Sequence, residues 1–158
     1  MSGKELSDGF IPAYQWSSAI LPVLNEGHAL KLHFDGLSMY PLLVGGRDDV
    51  LIEAVSGKRL KRGDIVLYIR KDGMHVLHRI HHVEVSGYYM LGDAQTWIEG
   101  PIDEDDVRAV VTTIIRKGKS IECSALAYRW ISELWLFMRS VRPQIIKIIH
   151  WVHRMRKS

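Results

Sequence analysis

The sequence predicts a mainly β fold: a compact antiparallel β domain followed by an α-helical appendage. Between residues 28 and 116, short apolar or alternating runs are separated by glycine and aspartate turn signals, a pattern typical of antiparallel strands. Beyond residue 119 the apolar residues recur every three or four positions, which indicates helix. The chain has 158 residues, 47% apolar and 25% charged, and these values suit one globular core.

A lead-in, residues 1–27, precedes the β domain. Within it, residues 13–25 predict a short amphipathic helix that stops near Gly27. Glu5 and Asp8 precede the first apolar stretch, which does not match the layout of a secretory signal peptide. No window supplies the roughly 20 consecutive apolar residues of a membrane span. We therefore expect a cytoplasmic protein, or one peripheral to the cytoplasmic membrane.

The β domain is predicted to cover residues 28–119. Asp72-Gly73 separates two apolar runs and favours a hairpin with a type I′ turn, in which both central residues have positive φ. We therefore expect paired antiparallel strands on either side of it. The predicted strands are residues 29–34, 50–54, 65–69, 75–83, 88–91 and 107–115.

The last region, residues 120–158, predicts basic amphipathic helices, with one apolar stripe before Pro143 and another after it. Residues 124–158 contain seven lysines or arginines and one acid, Glu133. Such helices suit an anionic membrane surface. The alternative is that they pack on the β domain or on a partner protein, with their basic face in solvent. The stripes consist of Leu126, Trp130, Leu134, Phe137 and Val141, then Ile145, Ile148, Ile149 and Val152.

The candidate nucleophile is Ser38. A strand is expected to end at Gly36, and Pro41 cannot donate a hydrogen bond to a continuing ladder, so the hydroxyl of Ser38 should lie on a tight, exposed bend. Serine is common in structural turns, and this feature alone does not identify a reactive hydroxyl.

The candidate general base is His78. Strand alternation places it on the same face as Val76 and Ile80, among apolar neighbours. A lone histidine in that position is usually a hydrogen-bonded core residue. A serine hydroxyl becomes a nucleophile when a nearby base takes its proton, and an imidazole can do so near neutral pH. The spacing of Ser38 and His78 does not by itself show that they meet.

Four short segments of the β domain occur in the order found in one peptidase family. They are Gly36-Leu37-Ser38-Met39-Tyr40-Pro41, Arg62-Gly63-Asp64-Ile65-Val66, Leu77-His78-Arg79-Ile80 and Gly92-Asp93. Together they resemble signal peptidase I over about residues 33–117, which implies the catalytic fold of that peptidase. His78 resembles the base of the archaeal and endoplasmic-reticulum type, whereas the usual bacterial enzymes and LexA-like repressors have lysine.

The resemblance implies a serine endopeptidase that cleaves a leader or signal segment from a precursor peptide through an acyl-enzyme. Ser38 would be the nucleophile and His78 the base. Asp93 is the first candidate for the carboxylate that orients the imidazole, and Glu99 is the second. Backbone N–H groups of Ser38 and Met39 would bind the oxyanion. The candidate substrate contacts are Met39, Tyr40 and Pro41.

Two positions depart from the family. Gly36 stands where bacterial members often have a second serine, whose hydroxyl helps to hold the oxyanion. Ala94 follows Gly92-Asp93, where the histidine type commonly has asparagine. The alternative function is therefore a catalytically inactive protein of the same fold that binds a peptide or acts as a scaffold.

The remaining residues point to no cofactor, metal or nucleic acid. Cys123 is the one cysteine and cannot form an intrachain disulfide. Strand alternation separates His75 and His81 from His78 and His82, and no metal-ligand spacing is present. No helix-turn-helix precedes the β domain as in LexA-like repressors, so we expect no nucleic acid partner.

Overall fold

The predicted fold class is confirmed: antiparallel strands are followed by C-terminal helices. The computed structural model describes residues 13–157, so the first part of the lead-in, residues 1–12, lies outside the described residues. The helices are α1 (Ala13–Asn25, as predicted), α2 (Leu126–Phe137) and α3 (Arg142–Met155). The strands are β1 (Leu30–His33), β2 (Asp48–Glu53), β3 (Ile65–Ile69), β4 (His75–Glu84), β5 (Gly87–Leu91), β6 (Glu99–Ile102), β7 (Val107–Arg116) and β8 (Lys119–Glu122).

The strands form one antiparallel sheet with β7 at its centre. Their order is β1-β2-β7-β3-β4-β5-β6, and β8 also pairs with β7. One edge of β7 pairs with β2, while the other pairs first with β3 and then with β8. β7 therefore joins the two halves of the sheet.

β3 is buried on both faces. Ile65 and Leu67 pack in one apolar cluster, which also contains Leu24 of α1. Val66 and Tyr68 pack in a second cluster on the other face. Successive side chains of a strand point to opposite faces, which explains why this strand reads as a continuous apolar run. The hairpin that carries the candidate base is thus anchored in two cores.

β3 and β4 form the predicted antiparallel hairpin, in which Val66 pairs with His78. The turn differs from the prediction. Of the described turn residues, Gly73 has positive φ (+83°), and the N–H of Arg70 donates to the carbonyl of Met74 (2.9 Å). This is a three-residue loop that ends in a left-handed glycine, so the predicted type I′ turn is wrong.

β6 and β8 have no clear strand signal in the sequence. β6 contains Gly100 and Pro101, which disfavour a strand, but Pro is tolerated because β6 is an edge strand next to β5. β8 follows a tight turn at Gly118 (φ +75°) and pairs with the end of β7. The sheet therefore continues to Glu122, beyond the predicted boundary at residue 119.

α2 packs on the β domain through the face opposite to its apolar stripe. The buried side chains are Tyr128, Ser132, Trp135 and Leu136. The apolar stripe faces solvent, with Trp130 74% and Phe137 85% exposed. Among residues 13–157, no helix is both long and apolar enough to cross a membrane.

Candidate active site

The loop between β1 and β2 holds Ser38 in a tight turn. Gly36 begins it with φ +109°, a conformation that favours glycine. The N–H of Gly45 donates to the carbonyl of Gly36 (3.1 Å), and a Cβ at Gly45 would lie 2.6 Å from the Gly36 nitrogen. The N–H of Tyr40 donates to the carbonyl of Leu37 (3.0 Å) and closes the turn around Ser38. The tight bend is present as predicted, but Ser38 is half-buried rather than exposed.

Ser38 and His78 line the same cavity, whose volume is about 420 Å³. The cavity lies between the loop that holds Ser38, β1 and the β3–β4 hairpin. The polar side chains of Arg70 and Gln95 also line it. The fold thus brings together two residues that are distant in sequence. The apolar part of the wall consists of Leu32, Phe34, Met39, Leu67, Met74, Val76 and Leu77.

His78 is 2% exposed on β4. Its neighbours on the same face, Val76 and Ile80, pack in the second apolar cluster, as strand alternation predicts. Burial, together with the positive charge of Arg70, lowers the pKa of His78 to about 4. The imidazole is therefore neutral at physiological pH and able to accept a proton.

A hydrogen-bonded chain connects His78 to Glu99 through Tyr68. The Tyr68 hydroxyl donates to Oε2 of Glu99 (3.0 Å) and lies 3.2 Å from Nδ1 of His78. Because this hydroxyl gives its one proton to the carboxylate, it must accept from Nδ1–H of His78. The arrangement assigns the tautomer in which Nε2 carries the lone pair. Nε2 is the nitrogen left to take a proton from a nucleophile.

Arg70 keeps Glu99 ionised. Nε and Nη2 of Arg70 donate to Oε1 and Oε2 of Glu99 at 2.7 and 2.6 Å. Burial alone would raise the pKa of Glu99, but these hydrogen bonds and the one from Tyr68 hold it below its usual value. Burial and the charge of Glu99 raise the pKa of Tyr68, so its hydroxyl stays protonated. Glu99, the second candidate, is thus the carboxylate connected to His78.

Asp93, the first candidate for that role, binds Arg79 instead. Nε and Nη2 of Arg79 donate to Oδ1 and Oδ2 of Asp93 at 2.9 and 2.7 Å, and both side chains are 0% exposed. Successive side chains of β4 point to opposite faces, so Arg79 faces away from His78 and draws Asp93 with it. The structure therefore corrects the expectation that Asp93 orients His78.

The buried ion pair also joins β4 to α2. Nη2 of Arg79 donates to the Tyr128 hydroxyl (3.2 Å), and Nη1 donates to Oγ of Ser132 (3.1 Å). Nε1 of Trp135 donates to the backbone carbonyl of Asp93 (2.9 Å). Buried polar groups need such partners. This explains why α2 packs through a face that contains polar atoms while its wholly apolar face stays in solvent.

The turn at Gly92 lies directly against Ser38. The N–H of Ala94 donates to the Ser38 carbonyl (2.9 Å), and a Cβ at Gly92 would lie 2.7 Å from the same oxygen, so only glycine fits there. Arg142 of α3 is buried and donates to the carbonyls of Gly92 (3.1 Å) and Gln95 (2.8 Å). The C-terminal helices therefore support the turn that supports Ser38.

Within residues 13–157, no hydrogen bond joins the Ser38 hydroxyl to His78. Catalytic hydrogen bonds are often long before substrate binds. Of the three predicted substrate contacts, Met39 lines the cavity, whereas Tyr40 and Pro41 are outside its wall. The ring of Tyr40 instead lies 5.2 Å from that of His150 on α3. The cavity is thus formed around Ser38 and Met39 rather than around the whole segment.

The other reactive side chains lie elsewhere. A register shift after Ile80 brings Nδ1 of His81 within 2.8 Å of Nδ1 of His82, although strand alternation predicts opposite faces. Within residues 13–157, no group of three His, Cys, Asp or Glu side chains is arranged to hold a metal ion. Burial raises the pKa of Cys123 to about 11, so this thiol is protonated at neutral pH.

Sequence reasoning assigns no role to Tyr68, Arg70 or Arg79. A signal for Tyr68 exists, because the predicted hairpin places it diagonally across from His78 on the same face, within reach of a long side chain. Arg70 matters because it binds Glu99, and Glu99 lies on β6, a strand with no clear signal in the sequence. Arg79 belongs to a segment that resembles the family, yet its partner becomes visible only in the fold.

Comparisons of the chain with family models, curated proteins and solved structures give no match. The case for a function therefore depends on the geometry of this site and on the four segments.

Proposed function

We propose that the chain is a serine endopeptidase of the signal peptidase type, which cleaves a leader or signal segment from a precursor peptide. One observation carries the proposal. Ser38 and His78 line one cavity, and the hydrogen bonds of His78 through Tyr68 leave Nε2 as the proton acceptor. The resemblance to signal peptidase I agrees with this placement, because Ser38, His78 and Gly92 come from three of its four segments.

In the proposed reaction, Oγ of Ser38 attacks the carbonyl carbon of the scissile peptide bond while its proton passes to Nε2 of His78. The C–N bond then breaks, and His78 gives the proton to the leaving nitrogen. Water, deprotonated by His78, attacks the acyl-enzyme ester and releases Ser38. The link to ionised Glu99 stabilises the imidazolium that exists between these steps.

The oxyanion is proposed to bind backbone N–H groups of the turn. The Ser38 carbonyl points to Ala94, and in a trans peptide the N–H of Met39 points in the opposite direction, away from the turn at Gly92. Aligned amide donors can stabilise the developing charge without a side chain. The backbone N–H groups would thus replace the side-chain hydroxyl that bacterial members often supply from a second serine, at the position where this chain has Gly36.

The test is labelling of the purified full chain with a fluorophosphonate probe, in which the serine oxygen displaces fluoride from phosphorus. We expect labelling of the parent and none of Ser38→Ala. His78→Ala should react at least about 100-fold more slowly, since it lacks the general base. The matched controls are Ser120→Ala and His33→Ala, which change exposed residues outside the cavity and should react like the parent.

Circular dichroism must first show that each variant is folded. Labelling that survives in folded Ser38→Ala would contradict the proposal, as would labelling that Ser120→Ala abolishes. A labelled parent would then be offered leader-bearing peptides, with mass spectrometry to locate any cleavage.

The pH dependence of labelling tests the environment of His78. Because burial lowers the pKa of this imidazole to about 4, the neutral base persists as the pH falls, and the rate should be nearly the same at pH 5 and pH 7. An imidazole with the ordinary pKa of about 6.5 would lose about 25-fold in rate over that interval. The measurement is the second-order rate constant from pH 4 to 8, with the fold monitored at each pH. An inflection near pH 6.5 in folded protein would contradict the assignment.

The second candidate is an inactive protein of the same fold that binds a peptide in this cavity. Two observations favour it: Ser38 and His78 are not hydrogen-bonded to each other within the described chain, and Gly36 supplies no side-chain donor. A folded parent that is not labelled, yet binds a leader peptide in a titration that Ser38→Ala does not weaken, would support this candidate instead.

A further inference from the structure

The outer face of α2 is apolar along its whole length and open to solvent. Leu126, Trp130, Leu134 and Phe137 recur at helical spacing and are 79%, 74%, 58% and 85% exposed. Ile131 lies at the edge of this face and is 52% exposed. Large aromatic side chains are seldom left in water along a full helix face. The fold of the β domain does not explain this surface, because α2 is anchored through its opposite face.

α3 continues the pattern and adds charge. Ile148, Trp151, Val152 and Met155 follow the i, i+3, i+4, i+7 spacing and are all exposed. Beside this stripe, Lys147, His150 and Arg154 form a second exposed row at i, i+3 and i+7. An apolar stripe with a basic stripe next to it is the pattern of a helix that lies in a membrane interface.

The charge around both stripes is predominantly positive. The one acid of α2, Glu133, is paired with Arg62. After Glu133 the chain contains no aspartate or glutamate, and its exposed or half-buried cations include Arg139, Lys147 and Arg154. A second copy of the same face would meet like charges, which opposes self-association. An anionic lipid surface offers both the apolar phase and the complementary charge.

We propose that the helices α2 and α3 dock on an anionic membrane surface, with Trp130, Phe137 and Trp151 inserted among the lipids. The two helices have 12 and 14 residues, lengths suited to lying along the interface. Anionic lipids are concentrated in the cytoplasmic leaflet, so that leaflet is the surface this chemistry fits.

Docking would place the cavity close to the lipid. The ring of His150 on α3 contacts Tyr40, two residues after Ser38, and Arg139 donates to the carbonyl of Thr96 (3.0 Å) in the loop that follows Gly92. The helices therefore contact the loop that holds Ser38 and the loop that follows Gly92. The docking inference depends on exposed side chains and charge alone, so it stands or falls separately from the peptidase proposal.

The experiment is flotation of the full chain with vesicles of phosphatidylcholine alone and of phosphatidylcholine mixed with phosphatidylglycerol. We expect the parent to float with the mixed vesicles and much less with the neutral ones. The double variant Trp130→Gln, Phe137→Gln should lose at least about tenfold in partitioning. Val85→Gln is the control, because Val85 is fully exposed in the turn between β4 and β5, outside the two loops that the helices contact, and the change should leave flotation unchanged.

The charge component has its own pair of variants. Lys147→Gln with Arg154→Gln should weaken binding to the mixed vesicles about fivefold per charge removed, while Lys119→Gln, an exposed lysine on β8, should not. All these positions are exposed, so thermal unfolding should match the parent. Absence of flotation of the folded parent would overturn the inference. So would flotation that Val85→Gln reduces as much as the helix variants, or a dimer in light scattering that Phe137→Gln dissociates.

Discussion

Replacing Asp93 with alanine is expected to lower the free energy of unfolding by about 3 to 5 kcal/mol. The reason is Arg79, which is 0% exposed and would keep its charge in the protein interior without the carboxylate that neutralises it. The loss should appear as a lower midpoint of chemical denaturation, followed by far-UV circular dichroism. Because the turn at Gly92 supports Ser38, probe labelling should slow as well.

The matched control is Glu133→Ala. Glu133 also joins α2 to the β domain, through an ion pair with Arg62 (2.9 Å). The side chains of both residues are about 40% exposed. Exposed pairs contribute about 0 to 1 kcal/mol, so this variant should unfold close to the parent. The double variant Arg79→Met, Asp93→Leu should recover part of the lost stability, since it leaves no buried charge, although the Tyr128 and Ser132 hydroxyls lose a donor. Equal effects of Asp93→Ala and Glu133→Ala would contradict the role assigned to burial.

Replacing Tyr68 with phenylalanine is expected to slow probe labelling by about 10- to 100-fold. The hydroxyl is the group that accepts from Nδ1–H of His78 and passes the interaction on to Glu99. Without it, the imidazole can adopt the other tautomer, in which Nε2 carries a proton and cannot act as a base. The effect should be smaller than that of losing a directly bonded carboxylate, because the relay is indirect.

Tyr89→Phe is the control, since the Tyr89 hydroxyl bonds to Ser86 at the surface and should leave the labelling rate unchanged. Probe affinity and labelling rate should be measured separately by varying the probe concentration. A general loss of packing would weaken both, whereas loss of the tautomer should reduce the maximal rate alone. An unchanged maximal rate in folded Tyr68→Phe would show that the relay does not act on His78.

The sequence predicts the β domain well because its signals are local. The 65–69 strand is bounded by turn residues and has its predicted limits, and the turn at Gly73 sets the pairing of Val66 with His78. β6 has no comparable signal, because Gly100 and Pro101 are acceptable only at the edge of a sheet. The residue connected to His78, Glu99, lies on that strand, so its link through Tyr68 could not be predicted from spacing.

The assignment of Asp93 shows a different limit. The resemblance places an acid in the right segment, but which base it contacts depends on the face that each side chain of β4 occupies. His78 and Arg79 are adjacent in sequence and opposite in space, and the buried guanidinium has the stronger need for a carboxylate. Hydrophobic periodicity likewise shows that α2 is amphipathic, yet it assumes that the apolar face turns inward. Here Tyr128 and Ser132 face inward because they complete the hydrogen bonds of Arg79.

The central place of β7 has a consequence for how the chain folds. β2 and β3 both pair with β7, yet they are synthesised well before it. Until the ribosome has released residues 107–116, each of these strands presents an unpaired edge, the kind of surface that recruits other strands and promotes aggregation. Pairing across such long sequence separations also slows folding. Productive folding of this domain therefore waits for one late strand.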